Sequence, residues 1–228
     1  MSTAGRPVMT REQLVVTLAA HVLALPDDAP RAVALTGMSC TGKTTLAAEV
    51  AVVVAGAGRP VVAAAYDDFH QPRERRYRLG RLSAQGYLDD AFDPAALRRL
   101  VLEPVAAGGP AVTTASYDLA TDEPVEVEPV PVGPGTVVLV EGSFLLVPEL
   151  AGLWDLAVAV VADPQSVLER AVVRDADLGT PEQVREMYLR RYLAAESLHH
   201  ERDDPWSRAD LVVDLTDPSA PRMLSGSG

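Results

Sequence analysis

Cysteine is all but missing. Cys40 stands alone among 228 residues, so no internal disulfide and no cysteine-rich metal site can form, which suits a cytoplasmic location. Basic charge is scarce as well: 20 Lys and Arg face 32 Asp and Glu. The resulting net charge of −12 argues against a polyanion as partner, and no nucleic-acid interface is expected. No apolar run approaches the roughly 18 residues that a membrane span needs. Met1 to Thr10 has no basic stretch followed by an apolar core, so neither membrane insertion nor secretion is expected. Internal repeats are absent, and aromatic residues make up only 5%. What remains, 48% hydrophobic and 23% charged, is the composition of a soluble globular chain long enough to bury a substantial core. One domain with a small lid is the expected organisation, with a small molecule as partner, and a homo-oligomer is compatible with it.

Thr10-Arg-Glu-Gln13 has capping-box spacing ahead of Leu14, Leu18, Val22 and Leu25, and Pro26 to Pro30 closes the series, which predicts an opening helix. Arg31 to Thr36 is a short apolar run that reaches a glycine-containing loop, and Lys43 to Ala57 reads as a helix ended by Gly58. Val61 to Tyr66, Ala111 to Ala115, Thr136 to Val140, Leu156 to Val161 and Leu211 to Asp214 are further buried-strand candidates. Helical stretches such as Pro94 to Ala107 and Pro164 to Arg174 separate them. Apolar strands alternating with helices predict an α/β fold with a mostly parallel sheet covered on both faces. The expected divisions are an N-terminal helix packed on the core over 1–30, a main domain over 31–218 with its lid at about 170–195, and a flexible tail over 219–228. Gln71 to Asp93, rich in Arg, and Asp122 to Gly135, an extended connection, interrupt the pattern.

Gly37-Met-Ser-Cys-Thr-Gly42-Lys43-Thr44 satisfies G-x-x-x-x-G-K-[ST], the phosphate-binding P-loop, and lies between an apolar strand and a helix as its mechanism requires. The glycines let successive N–H groups point at phosphate oxygens, the helix presents its positive end, Lys43 reaches the β- and γ-phosphates and Thr44 offers its hydroxyl to Mg²⁺. Gly37, Ser39, Cys40, Thr41, Gly42, Lys43, Thr44 and Thr45 are therefore the candidate ATP-binding residues. Asp67-Asp68-Phe69-His70 follows the second strand, where residues line the crevice of an open α/β sheet, and makes Asp67 the candidate base for an acceptor hydroxyl. Glu141, at the end of another apolar strand, is a candidate Mg²⁺ ligand beside Thr44. Arg73, Arg75, Arg76, Arg78 and Arg81 form a local positive cluster against the global charge. Arg170 and Arg174, four apart on one helical face, are placed to close over the triphosphate as part of a lid. His199-His200 lacks companion zinc ligands and reads as surface.

Taken together and in order, these motifs resemble the uridine kinase-like branch of P-loop small-molecule kinases, from about Val33 to Asp214. The resemblance implies a P-loop NTPase three-layer α/β/α fold with a small helical lid, ATP and Mg²⁺ as cofactors, and Asp67, Lys43, Arg170 and Arg174 as catalytic residues. It places Asp67, Phe69, His70, Arg78, Tyr87, Asp89, Tyr117, Asp122 and Arg191 on the acceptor side. Three departures concern the acceptor. Asp122 stands where the family's pyrimidine-reading His is expected, and Arg191 replaces a glutamine before Tyr192. The family's ribose-binding acid aligns with either Tyr87 or Asp89. The expected activity is transfer of the γ-phosphate of ATP to a hydroxyl of a nucleoside-like acceptor. The alternatives are a kinase of a non-nucleoside alcohol such as pantothenate or a specialised metabolite, and a non-catalytic ATP-binding regulator.

Overall fold

The computed structural model describes residues 8–226, so residues 1–7 and the last two residues of the expected tail, 227–228, lie outside the described residues. Helix α1 (Arg11–Leu23) starts where the capping box predicts: the Gln13 N–H donates to Thr10 Oγ1 at 3.1 Å, and the Thr10 N–H donates to Gln13 Oε1 at 2.9 Å. Its Leu14, Leu18 and Val22 bury against Leu46, Val50 and Val54 of α2 (Lys43–Gly56) and the sheet below. Each such side chain contributes about 1.5–3 kcal/mol of burial, and the pair covers one face of the sheet.

The strands are β1 (Arg31–Thr36), β2 (Val61–Ala65), the short β3 (Ala111–Val112), β4 (Tyr117–Asp118), β5 (Glu123–Pro124) and β6 (Val130–Pro131), then β7 (Val137–Gly142), β8 (Leu156–Val161), β9 (Leu211–Asp214) and β10 (Arg222–Gly226). The remaining helices are α3 (Arg73–Arg76), α4 (Ala84–Asp90), α5 (Pro94–Leu97), α6 (Glu103–Ala106), α7 (Pro164–Arg174), α8 (Pro181–Met187), α9 (Leu193–Asp203) and α10 (Pro205–Arg208). The main sheet runs β10-β9-β8-β1-β7-β2 and is parallel except at the β10 edge. A second core, including Leu97, Val101, Leu102, Leu145 and Ala195, covers the other face and completes the three layers. No helix among the described residues is long and apolar enough to cross a membrane.

Two expectations are corrected. Ala111 to Ala115 does not join the main sheet; only Ala111 and Val112 are extended, and they pair antiparallel with Val130 and Pro131. The reason lies in the helical stretch before it, which widens to a π turn over Arg98–Leu102. Pro104 has no N–H to give the Leu100 carbonyl, which accepts from Thr113 N–H at 3.0 Å instead. The tail expected to be flexible forms β10, because Leu224 buries against Ala159 and Val212 and the backbone pairs with β9.

Register brings the functional ends together. Glu141 of β7 pairs with Leu35 of β1 on one side and with Ala65 of β2 on the other, while Thr36 pairs with Ala159 of β8. Gly142 allows this closure, since a Cβ there would lie 2.4 Å from the Tyr66 Cβ. Gly142→Ala is expected to destabilise the fold by about 1–3 kcal/mol, seen as a lower urea midpoint with an unchanged slope; a midpoint equal to the parent's would contradict this packing.

Candidate active site

The loop from Gly37 to Thr44 is curled by its own bonds and its neighbours. The Gly37 N–H donates to the Gly142 carbonyl at 3.1 Å, Ser143 Oγ donates to the Gly37 carbonyl at 3.2 Å, and Thr41 Oγ1 donates to the Met38 carbonyl at 2.8 Å. A Cβ on Gly37 would meet the Val160 carbonyl oxygen at 2.3 Å, and Gly42 has φ +93°. Cys40 holds φ 65° without being glycine, a strained conformation that fits a preset anion cradle. Lys43, the chain's single lysine, is 9% exposed, with Nζ 3.7 Å from Glu141 Oε2. Thr44 Oγ1 donates to the same oxygen at 3.1 Å.

Burial raises the Glu141 carboxyl above its ordinary range, and Lys43 and Thr44 only partly oppose this. A half-buried carboxylate short of positive charge, facing a hydroxyl at the mouth of a phosphate cradle, fits a hard divalent cation, and Thr44 and Glu141 would hold Mg²⁺ there. Among the described residues no three His, Cys, Asp or Glu side chains form a metal site of their own, so the phosphates and water would complete its shell.

Asp67 lies on a 3₁₀ turn, Tyr66–Phe69, just past β2, with its side chain exposed and without an ion pair among the described residues. Its charge helps to raise Glu141. His70 Nδ1 is 2.7 Å from the Asp67 carbonyl oxygen and its ring 4.5 Å from that of Phe92; burial lowers its pKa. Phe69 is corrected: at 0% exposure it packs in the core beneath the turn and cannot line an acceptor site.

Tyr87 and Asp89 have different surroundings. The Tyr87 ring lies 4.9 Å from the Arg191 guanidinium and its phenol feels the charge of Asp67, whereas Asp89 accepts from Arg202 Nη1 at 2.6 Å. Arg78 donates to Asp90 at 3.0 Å and stays largely exposed. Tyr117 is buried beside Asp122, whose carboxylate is taken by the Arg73 N–H at 3.0 Å and by Arg76. Asp122 is therefore committed to holding this loop.

At the end of α7, Arg174 donates to Ser39 Oγ at 3.0 Å, to Tyr188 OH at 2.8 Å and to both Asp175 oxygens at 2.7 and 3.0 Å. Burial pushes the Asp175 carboxyl up, but hydrogen bonds from Arg174 and Tyr188 outweigh it and hold its pKa below the ordinary value. Arg170 is corrected: its guanidinium donates to the carbonyls of Cys40, Leu215 and Thr216 at 3.3, 2.8 and 2.6 Å, tying the P-loop to the chain after β9. His199 is corrected too, being 1% exposed with Nδ1 2.8 Å from Asp203 Oδ2.

Sequence reasoning missed Tyr188, whose hydroxyl also approaches Cys40 Sγ at 3.3 Å, and Glu196 on α9. Neither has a motif around it; both reach the P-loop only through tertiary packing.

No protein-family model and no curated protein matches the sequence. Solved structures do match. A proposed uridine kinase from Bacillus stearothermophilus superposes with TM-score 0.68 at 23% identity over 88% of this chain and 97% of that one. A proposed fructose transport system kinase from Silicibacter gives TM-score 0.68 at 24% identity over 84% and 94%. D-glycerate 3-kinase from Cryptococcus neoformans gives 0.55 at 15% over 90% and 94%. The chain thus has the fold of the P-loop kinases, an α/β three-layer arrangement around a mostly parallel sheet.

Burial raises the Glu196 carboxyl to about 7, against the opposing pull of Lys43. A carboxyl raised in the folded state adds stability that is full below its unfolded value and is lost as pH rises through about 7. Glu196→Gln removes that dependence. Its stability relative to the parent is expected to rise by on the order of 1–3 kcal/mol across this window and level off above it. Chemical denaturation at a series of pH values reads the difference, and a constant offset would sink the assignment.

Proposed function

We propose that the protein is an ATP-dependent phosphotransferase that moves the γ-phosphate onto a hydroxyl of a small molecule, with nucleoside-like alcohols as the first acceptor class. The observation that carries this reading is the common level of three strand ends: Lys43 and Thr44 after β1, Glu141 at the end of β7 and Asp67 past β2. A nucleotide with its phosphates in the P-loop presents the γ-phosphate between the cation ligands and Asp67. Asp67 orients the acceptor O–H and takes its proton as the new O–P bond forms and the bond to ADP breaks. Lys43 balances charge on the β- and γ-phosphates, and bound Mg²⁺ supplies further charge neutralisation. Arg174, bonded to Ser39, is a lid cation beside the cradle. An exposed, unpaired Asp67 next to this centre favours a kinase over a regulator that merely binds ATP.

Asp67→Asn is expected to lower acceptor-dependent ADP formation by about 10²–10⁴-fold, assayed with Mg·ATP across nucleosides, pantothenate and sugar alcohols; undiminished turnover would remove Asp67 from the chemistry. Because Lys43 is the only lysine, amine-reactive labelling mapped by peptide mass reports on the P-loop alone apart from the α-amino group. Mg·ATP is expected to protect it at least tenfold, and labelling that ATP leaves unchanged would count against nucleotide binding in this loop.

A further inference from the structure

Arg191 is 4% exposed, yet it has no carboxylate partner among the described residues. Its one side-chain hydrogen bond, from Nη1, goes to the Arg81 carbonyl at 2.8 Å. Arg191 sits on the π turn Tyr188–Tyr192, and its guanidinium lies 5.0, 4.9 and 5.9 Å from the ring centroids of Tyr77, Tyr87 and Tyr192. It is not alone there. Arg76 and Arg81 also stand over the Tyr77 ring, at 5.5 and 5.3 Å. Arg76 is 6% exposed, and its Nε is buried without a partner.

Of these cations only Arg76 is paired with a carboxylate, and that one, Asp122, is shared with Arg73. Asp90 is likewise shared by Arg75 and Arg78, and Asp89 is held by Arg202. Burying a guanidinium without an anion is unfavourable, and three of them around one ring repel, so ring faces alone do not account for the arrangement.

Resting on the kinase reading above, we propose that the acceptor is an anionic alcohol, its carboxylate or phosphate received by Arg191 with Arg76 and Arg81 while its hydroxyl meets Asp67. Tyr87 links the two ends. Its ring touches Arg191, and its phenol is near enough to Asp67 to feel that charge. An arginine suits both anion types because its planar fork offers paired donors.

The test compares matched acceptors differing only in charge: glycerate with glycerol, gluconate with glucose, and ribose 5-phosphate with ribose. ADP formation with Mg·ATP is expected to favour the charged member of at least one pair by about 100-fold in kcat/KM, the carboxylate or phosphate arm naming the source. Arg191→Gln is expected to erase that preference by lowering kcat/KM for the charged member about 100-fold, and a preference kept in the folded variant would overturn the proposal. Turnover of neutral members at equal or higher efficiency would overturn the proposal and leave the kinase reading standing. A second measurement does not need turnover or the variant's own stability. With ADP saturating the P-loop, glycerate or inorganic phosphate is expected to raise the parent's unfolding temperature, and Arg191→Lys is expected to retain part of that shift. If no acceptor yields ADP but this stabilisation is seen, the kinase reading fails and the anion site stands; no stabilisation by either anion overturns the site.

Discussion

The pairing of β1 with β7 in one register is the constraint on which the site depends. It sets Leu35 opposite Glu141 and lets the Gly37 N–H close onto the Gly142 carbonyl, so the Gly37–Thr44 loop and Glu141 start from the same level of the sheet. A slip of one residue would turn Glu141 to the other face and part it from Thr44 and Lys43. The same strand, through Ala65 opposite Glu141, fixes where the Asp67 turn begins. Glycine at 37 and 142 follows from this closeness: a side chain at either would overlap the neighbouring backbone or Tyr66.

Charge is distributed against the average of the molecule. The chain as a whole carries −12, but its only lysine is buried in the Gly37–Thr44 loop, and Arg76, Arg81 and Arg191 meet around the Tyr77 ring. Acids enter this region chiefly as partners already committed, Asp122 to Arg76 and Asp90 to Arg78. Asp67 and its neighbour Asp68 are exposed and have no ion pair among the described residues. Helices α7 and α8 follow similar logic. Arg174, Asp175 and Tyr188 form one hydrogen-bonded unit whose outer donors reach Ser39, so these helices are tied to the Gly37–Thr44 loop through a few polar atoms.

Legibility tracked how local the signal was. The Thr10 cap, α7 from Pro164 to Arg174 and the strand entering the P-loop are written in adjacent residues, and each is where the pattern predicts. The Ala111 strand was misread because its fate turns on Pro104 and a carbonyl in the preceding helix. Arg170 was on the expected helix face, but the carbonyls that capture it belong to the P-loop and to the chain after β9. Phe69 and His199 look accessible in sequence because polar neighbours flank them; both are core residues.

The amino-acid sequence by itself determined the α/β alternation, the phosphate loop and the acids at the strand ends, since those depend on periodicity and on short motifs with their own backbone mechanics. Tertiary structure alone decided which charges are paired. Asp89 and Tyr87 are near neighbours in the chain, yet one is spent on Arg202 at the surface while the other faces Asp67 and Arg191. The arginines converge on Tyr77 from segments more than a hundred residues apart. Pairing and desolvation are properties of distance in space, and no spacing along the chain encodes them.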